Sequence, residues 1–403
     1  MTGAAHIIAT DAEAIAVATR LAAEAAPGAE ERDRRHVHPV VELRRLGQSG
    51  LLGIILPRDL GGAGASFTTL GEVLRLLAAA DASLAQTPQP HYVTLLAVLL
   101  AGTPEQRAFF AAEVLAGRRF GNALSERGTR TSMDYRTTIR RDPAGGWRLD
   151  GRKFYCTGSI SADWVPTYAL DEDRRLLLAY VPRAAAGLQV HDDWQAIGQR
   201  GTASGTVTLD DVHVPDAYVV QLWRALEGPQ IWNAFARFLH AAIDVGIAEG
   251  ALDAGATFLR TRTRPWSEAG VARASDEPHI LLCYGELVTE LAAATALLRR
   301  AGRLLDAAWQ HTDAESAARA SAAVAEAKAY AAETAVRIAT DVFATCGASA
   351  ADEAAGLGRH WRDARIHTLH DPVRWSHHSA GHYAVHGTFP RNPGHGGAAA
   401  VAR

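Results

Sequence analysis

Two short stretches hold most of the side chains that could do chemistry. The first is Thr157-Gly158-Ser159, in GRKFYCTGSIS. A hydroxyl both donates and accepts, so this pair suits either a hydrogen bond to a ligand or the close of a turn. The second is His370-Asp371-Pro372, in RIHTLHDPVRW, with His367 one helical turn earlier. An imidazole exchanges protons near neutral pH. Asp371 is a second acid–base candidate, and Pro372 restricts the backbone after it. His91, in TPQPHYVTLL, follows a Pro-rich turn and opens an apolar helix, where a lone His is more often structural than functional. Arg260, Arg262 and Arg264 precede Pro265-Trp266. A guanidinium fork suits phosphate, although basic runs are commonly solvated. His378, His382 and His386 are spaced to share one helix face, a zinc-like pattern. With no HExxH and no acidic ligand in the run, the expected role is packing or pocket lining beside Trp375, Tyr383 and Phe389, and no metal is expected.

Composition removes several function classes. The 403 residues carry a net charge of -3 and no long basic stretch, which argues against nucleic acid, because phosphate binding needs clustered Lys and Arg. Cys156, Cys283 and Cys346 are far apart. Three scattered cysteines make no CxxC pair and fit a reducing compartment. MTGAAHIIATDAEA does not read as a signal peptide. The longest apolar stretch, near 93–101, is too short to span a bilayer. The expectation is a cytoplasmic protein with no membrane partner. No GxGxxG follows a strand, and GGAGAS at 61–66 lies between helical segments, so no dinucleotide site is expected.

The elements that must position these residues fall in three blocks. Residues 1–118 read as helical, with apolar spacing of three and four in 11–25 and 68–80 and a Gly/Pro loop at 56–66. Residues 119–222 carry β-branched and aromatic runs between turn signals, with hairpins expected at Gly145-Gly146 and Asp150-Gly151. Residues 223–403 return to long Ala-rich helices at 229–262, 278–311 and 314–345, followed by a tail rich in His, Gly and Pro. The architecture expected is mainly α with a central β-domain: a helical N-domain, a small β-barrel or sandwich, and a C-terminal four-helix bundle. Apolar residues on more than one helix face suggest an oligomer.

Four ordered motifs, NALSERGTRTSMDY (122–135), WRLDGRKFYCTGSISADWV (147–165), GQRGTASGTVTLDDVHVP (198–215) and WRDARIHTLHDP (361–372), resemble the acyl-CoA dehydrogenase superfamily over nearly the whole chain. Dehydrogenases of that superfamily generally carry a Trp-Ile-Thr-type sequence beside the flavin, and many have a late catalytic Glu. Here TGS and HDP stand instead. Those patterns resemble the two-component flavin-dependent monooxygenases, a branch with the dibenzothiophene monooxygenases and the sulfur-acquisition oxidoreductases.

The resemblance implies a reduced flavin, FMN or else FAD, supplied by a separate flavin reductase. That flavin reacts with O2 to a C4a-hydroperoxide, which oxygenates a small, rather apolar molecule such as an organosulfur compound or natural-product intermediate. It implies catalytic roles for His370, His91, Thr157 and Ser159, with either hydroxyl serving flavin N5. It implies flavin contacts from Asn122, Ser125, Thr131, Ser132, Thr157, Ser159 and His370, and a phosphate contact from Arg264, often across subunits of a homo-oligomer, tetramer or dimer. Thr345-Cys346-Gly347-Ala348-Ser349 replaces the superfamily's Gly-Gly-x-Gly turn, which favours FMN. The alternative is an FAD-dependent acyl-CoA dehydrogenase with Asp371 as base.

Overall fold

The computed structural model describes residues 5–131 and 134–390. Six helices come first: α1 (Asp11–Arg35), α2 (Val40–Gln48), α3 (Phe67–Ala80), α4 (Ala82–Gln86), α5 (Gln89–Ala101) and α6 (Pro104–Leu115). The capping residues explain several starts. Thr10, Ser66, Asp81 and Thr103 each accept from a first-turn N–H of α1, α3, α4 and α6, satisfying donors the helix leaves open. α1 runs ten residues past the expected 25, through Pro27. There Arg32 folds back onto the Ala25 carbonyl and pairs with Asp81 and Glu42, so ion pairs extend a helix whose apolar stripe has faded.

Seven strands follow: β1 (Thr138–Arg141), β2 (Trp147–Lys153), β3 (Trp164–Leu170), β4 (Leu176–Pro182), β5 (Leu188–Val190), β6 (Val207–Val214) and β7 (Val219–Val220). They form one sheet in the order β5-β6-β2-β1-β3-β4-β7, antiparallel except for β1 beside β3. β4 and β6 also touch without being neighbours, so the sheet curls like an open barrel. Alternation along β3 and β4 gives each face its own core. Trp164, Tyr168, Leu178 and Tyr180 join the helical core, while Val165, Ala169, Leu177, Ala179 and Val181 pack with the rest of the sheet. Gly145-Gly146 makes the β1–β2 hairpin as expected. Asp150-Gly151 does not. It lies within β2 at a bulge against β6, where Asp150 accepts from the Asp211 N–H and a Cβ on Gly151 would strike the Thr137 side chain. The Asp-Gly pair thus serves a bulge and not a chain reversal.

After the short α7 (Trp223–Leu226) come α8 (Trp232–Thr261), α9 (Pro278–Gln310), α10 (Ala314–Cys346), α11 (Gly358–His367) and α12 (Val373–His386). α8, α9 and α10 pack on one another, and α11 and α12 lie against α10. The 93–101 stretch lies in the buried α5. Among the described residues, α9 is the one helix long and apolar enough, by length and composition, to cross a membrane. Its Leu287, Ala294, Leu298 and Leu305 face the bundle, whereas Leu281, Leu282 and Val288 are exposed.

Candidate active site

The TGS turn follows β2 and is held in an unusual backbone shape. Tyr155 has φ 58° and Gly158 has φ 65°, while the facing loop places Gln199 and Ala203 at 48° and 46°. Non-glycine residues in the left-handed region carry strain, and such strain gathers at functional sites. Backbone bonds fix the turn: Cys156 N to Gly205 O, Thr157 N to Tyr155 O, Gly158 N to Thr202 O and Ser159 N to Cys156 O. The Ser159 hydroxyl donates to the Asn122 carbonyl and accepts from the Asn122 N–H, both at 2.8 Å. The Thr157 hydroxyl meets Ser204 at 2.9 Å, Ser204 meets Thr202 at 2.8 Å, and Thr202 donates to the Gln199 carbonyl. That carbonyl sets the direction of the chain. Thr157 donates to Ser204, and a lone pair on its oxygen stays available.

The Asn122–Ser125 stretch runs beside this turn. Bridges from Phe120 to Trp164, Ala123 to Thr167 and Ser125 to Phe154 keep it extended. Glu126 anchors its end by accepting from the buried Lys153 ammonium at 2.8 Å and from the Arg136 and Thr137 N–H groups. Asn122 and Ser125 remain half-buried and Tyr155 exposed. Thr131 lies at the end of this stretch, and Ser132 falls outside the described residues.

Two adjacent residues join this turn to the HDP motif. Thr87 lies so close to Gly158 that a Cβ there would meet its methyl at 2.5 Å and the buried Arg119 guanidinium at 2.8 Å. Gln86, one residue earlier, reaches the histidines. With the amide as placed, its Nε2 is 3.3 Å from His370 Nε2 and its Oε1 is 3.1 Å from His367 Nε2. His370 Nδ1 donates to the His367 carbonyl at 2.8 Å. His367 Nδ1 donates to Asp244 at 2.5 Å, and Asp244 takes the Lys328 ammonium at 2.6 Å. Lys328, Asp244 and His367 are fully buried, while His370 is accessible. His240 completes the group, with its Nδ1 3.2 Å from His367 Nε2 and its ring 4.5 Å from that of His370.

Each pKa direction has a cause. Desolvation pushes the Asp244 carboxyl up, but Lys328 and His367 outweigh it and hold it below its ordinary value. Desolvation lowers His367 against the pull of Asp244. It also lowers His370, helped by His367, to about 3. Ring nitrogens of His240, His367 and His370 all lie within 4.8 Å, a spacing that could accommodate an ion. Those of His367 are engaged by Asp244, Gln86 and His240.

The other candidates separate clearly. His91 is fully buried. Its Nε2 donates to the Leu52 carbonyl, its Nδ1 accepts from the Phe120 N–H, and burial lowers it to about 3. It therefore braces the start of the Asn122 stretch as a neutral ring. Asp371 lies 3.8 Å from Arg237. Arg264 is exposed beyond the end of α8, in a loop whose Thr263 donates to the Cys346 carbonyl at the end of α10. At about 1.5 Å per residue, that point lies about 27 Å along α10 from Lys328. His378, His382 and His386 share one face of α12, with rings 6.3 and 4.6 Å apart, but His378 and His386 are exposed.

Comparison with known proteins decides the family. Residues 11–118, 121–212 and 238–375 match the N-terminal, middle and C-terminal domains of acyl-CoA dehydrogenase. Dibenzothiophene monooxygenase of Rhodococcus qingshengii is 33% identical over 95% of this chain and 95% of its own length. The probable FMNH2-dependent monooxygenase SfnC of Pseudomonas putida is 33% identical over 94% of this chain and 96% of its own. FMN-bound TdsC of Paenibacillus sp. A11-2 superposes with a TM-score of 0.89 at 32% identity, covering 94% of this chain and 98% of that one.

The chain belongs to the acyl-CoA dehydrogenase superfamily, among its flavin-dependent monooxygenases.

Within that family its TGS turn and histidine cluster are joined by residues that motif reading passed over: Gln86, His240, Asp244 and Lys328. Asp244 and Lys328 did leave a signal. Asp244 is a lone charge in the apolar helical run AAIDVGIA, and Lys328 shares the Ala-rich run AEAKAYAA with Glu326 alone; a charge in such a setting demands a partner.

Proposed function

We propose that the protein is a reduced-FMN-dependent monooxygenase, fed by a separate flavin reductase, that oxygenates a small apolar organosulfur compound. The observation that carries this reading is the meeting, through Gln86-Thr87, of a strained hydroxyl-bearing turn and an accessible histidine. The half-open edge formed by Asn122, Ser125 and Tyr155 fits a polar ring system with one face against protein. FMN-bound TdsC and the name of SfnC support FMN over FAD.

Reduced FMN, when bound, supplies the electrons that activate O2. The chain supplies the placement of protons. Thr157 Oγ1 offers its lone pair as acceptor for a ring N–H, a role Ser159 is less free to take because its hydroxyl is used twice on Asn122. His370 Nε2 is the exchangeable position, since Nδ1 is committed to the His367 carbonyl. His91 acts on the site only by bracing Phe120. Asp371 faces Arg237 at 3.8 Å and is given no proton-abstracting role. Arg264 is too far along α10 to reach a phosphate beside its own subunit's His370, so its phosphate role requires a second copy. The exposed apolar residues of α9 support a homo-oligomer.

The test mixes anaerobically reduced FMN and enzyme with O2, with and without dibenzothiophene. An absorbing transient before oxidised flavin returns, and product heavier by one oxygen, are expected. Conversion of all O2 to H2O2 with no transient would overturn the reading. Tightly bound FAD bleached by an acyl-CoA would replace it with the dehydrogenase reading.

A further inference from the structure

Gln86 stands between two imidazoles whose far nitrogens are already committed. His370 Nδ1 faces a carbonyl at 2.8 Å and must carry a hydrogen. His367 Nδ1 faces the Asp244 carboxylate at 2.5 Å and must carry one also. Each ring therefore has one undecided position, its Nε2, and both point at the same primary amide. An amide presents a carbonyl oxygen at one end and an NH2 group at the other. The oxygen needs an N–H opposite it, and the NH2 needs a bare nitrogen. With Oε1 toward His367, that ring is an imidazolium and His370 is neutral. With the amide turned over, His370 is the imidazolium and His367 is neutral. His240 fits both states, because its Nδ1 can accept from His367 Nε2 in the first and donate to it in the second.

We propose that Gln86 is a positioning residue that makes protonation of His367 and His370 mutually exclusive, so that one extra proton is held by the pair and offered at His370 when the amide turns. No proton passes through the amide: as it turns, His367 Nε2 gives its proton to His240 Nδ1, 3.2 Å away, His240 releases the hydrogen on its Nε2, and His370 Nε2 takes one from the accessible side, so the group still holds one extra proton. Turning it changes which ring can keep a second N–H.

The surrounding charges favour such an exchange. The Lys328 ammonium and Asp244 carboxylate anchor the buried end. Arg237 and Asp371 flank the accessible end, and His240 lies between. Moving the positive charge between rings whose centroids are 4.9 Å apart leaves the net charge of the cluster unchanged. Burial disfavours charge on either ring, so an anion at the mouth of the site would draw the proton to His370. On the reading above, that anion is the reduced flavin.

The test reads ring protonation directly, in flavin-free protein labelled with 15N-histidine, by NMR from about pH 8.5 down to the acid limit of the folded state, because burial lowers both rings. In the wild type, one of the two rings is expected to take up a second N–H as the pH falls while the other stays neutral. In Gln86→Leu the exclusion is lost and the two rings titrate independently. In Gln86→Glu a carboxylate accepts from both, so both become imidazolium together, at a pH raised by about 1–3 units. Two doubly protonated rings in the wild type, two neutral rings throughout, or a Gln86→Leu titration identical to the wild type would each overturn the proposal. A second arm follows the transient formed by reduced FMN and O2 against pH, whose transition Gln86→Glu should displace upward. If the NMR coupling is present and no transient forms, the flavin reading fails while the coupling stands. If the transient forms and its pH profile ignores both variants, the coupling fails alone.

Discussion

Replacing Asp244 by Asn tests how the histidine cluster is anchored. Asp244 accepts from two donors at once, the Lys328 ammonium and His367 Nδ1, and all three groups are fully buried. Asparagine supplies one acceptor oxygen and one NH2 group, so one donor would face another donor. Removing one partner of a buried ion pair costs about 3–5 kcal/mol, because the remaining charge stays desolvated. At about 2.1 cal/mol/K per residue of unfolding entropy, and with the whole chain unfolding together, that becomes a loss of about 4–6 °C in Tm. The expected relief is His367 changing tautomer, so that Nδ1 accepts from the Asn NH2 and the proton sits on Nε2. The double variant Asp244→Leu/Lys328→Met removes both charges and should recover most of the loss. Calorimetry at fixed protein concentration measures the stability, and 15N NMR measures the tautomer. The pH sign follows from the lowered Asp244 pKa. The pair's contribution is whole above the unfolded carboxyl value and fades only as pH falls through the folded one, so wild type and Asp244→Asn should converge in acid. An unchanged Tm in Asp244→Asn at pH 7, or a double variant as unstable as the single one, would refute the reasoning.

His370→Ala should lower product formation by about 10²–10⁴-fold and raise H2O2 per O2 consumed, measured by oxygen electrode and product mass. Asp371→Ala should leave oxygenation within a few-fold, whereas a dehydrogenase using that base would be silenced. Gly158→Ala should cost about 1–3 kcal/mol, since it combines φ 65° with a Cβ 2.5 Å from Thr87, and a melting curve checks it. His91→Asn should fold, because an amide can accept from Phe120 N and donate to Leu52 O. It should also flatten the loss of stability in acid. In the wild type the His91 contribution is full above the unfolded imidazole value near 6.5 and lost as pH falls toward about 3; equal acid profiles would refute this.

The helices and their order were legible because Ala-rich amphipathic spacing survives burial. The 278–311 and 314–345 readings lie within one residue of α9 and α10 at each end. The strands of the middle block were legible from β-branched alternation, but the Asp150-Gly151 bulge was not, because a glycine after an acid serves a hairpin or a bulge equally well. At the site, the TGS and HDP motifs were visible as local clusters. Their junction was not, because Gln86 belongs to neither motif and lies 284 positions from His370. Neither propensity nor spacing connects them; the close pass of Thr87 over a side-chain-free Gly158 does.

The two-faced burial of β3 and β4 has a consequence for any attempt to recombine this enzyme with its relatives. Trp164, Tyr168, Leu178 and Tyr180 belong to the helical core while their neighbours in sequence belong to the sheet's own. A chimaera that exchanges the strands alone would have to match two independent sets of side-chain volumes on alternate residues of the same segments. Exchanging the N-terminal helices together with the sheet would spare those strands but would still cut the helical core, because α3 packs against α8 and α9 in the same cluster.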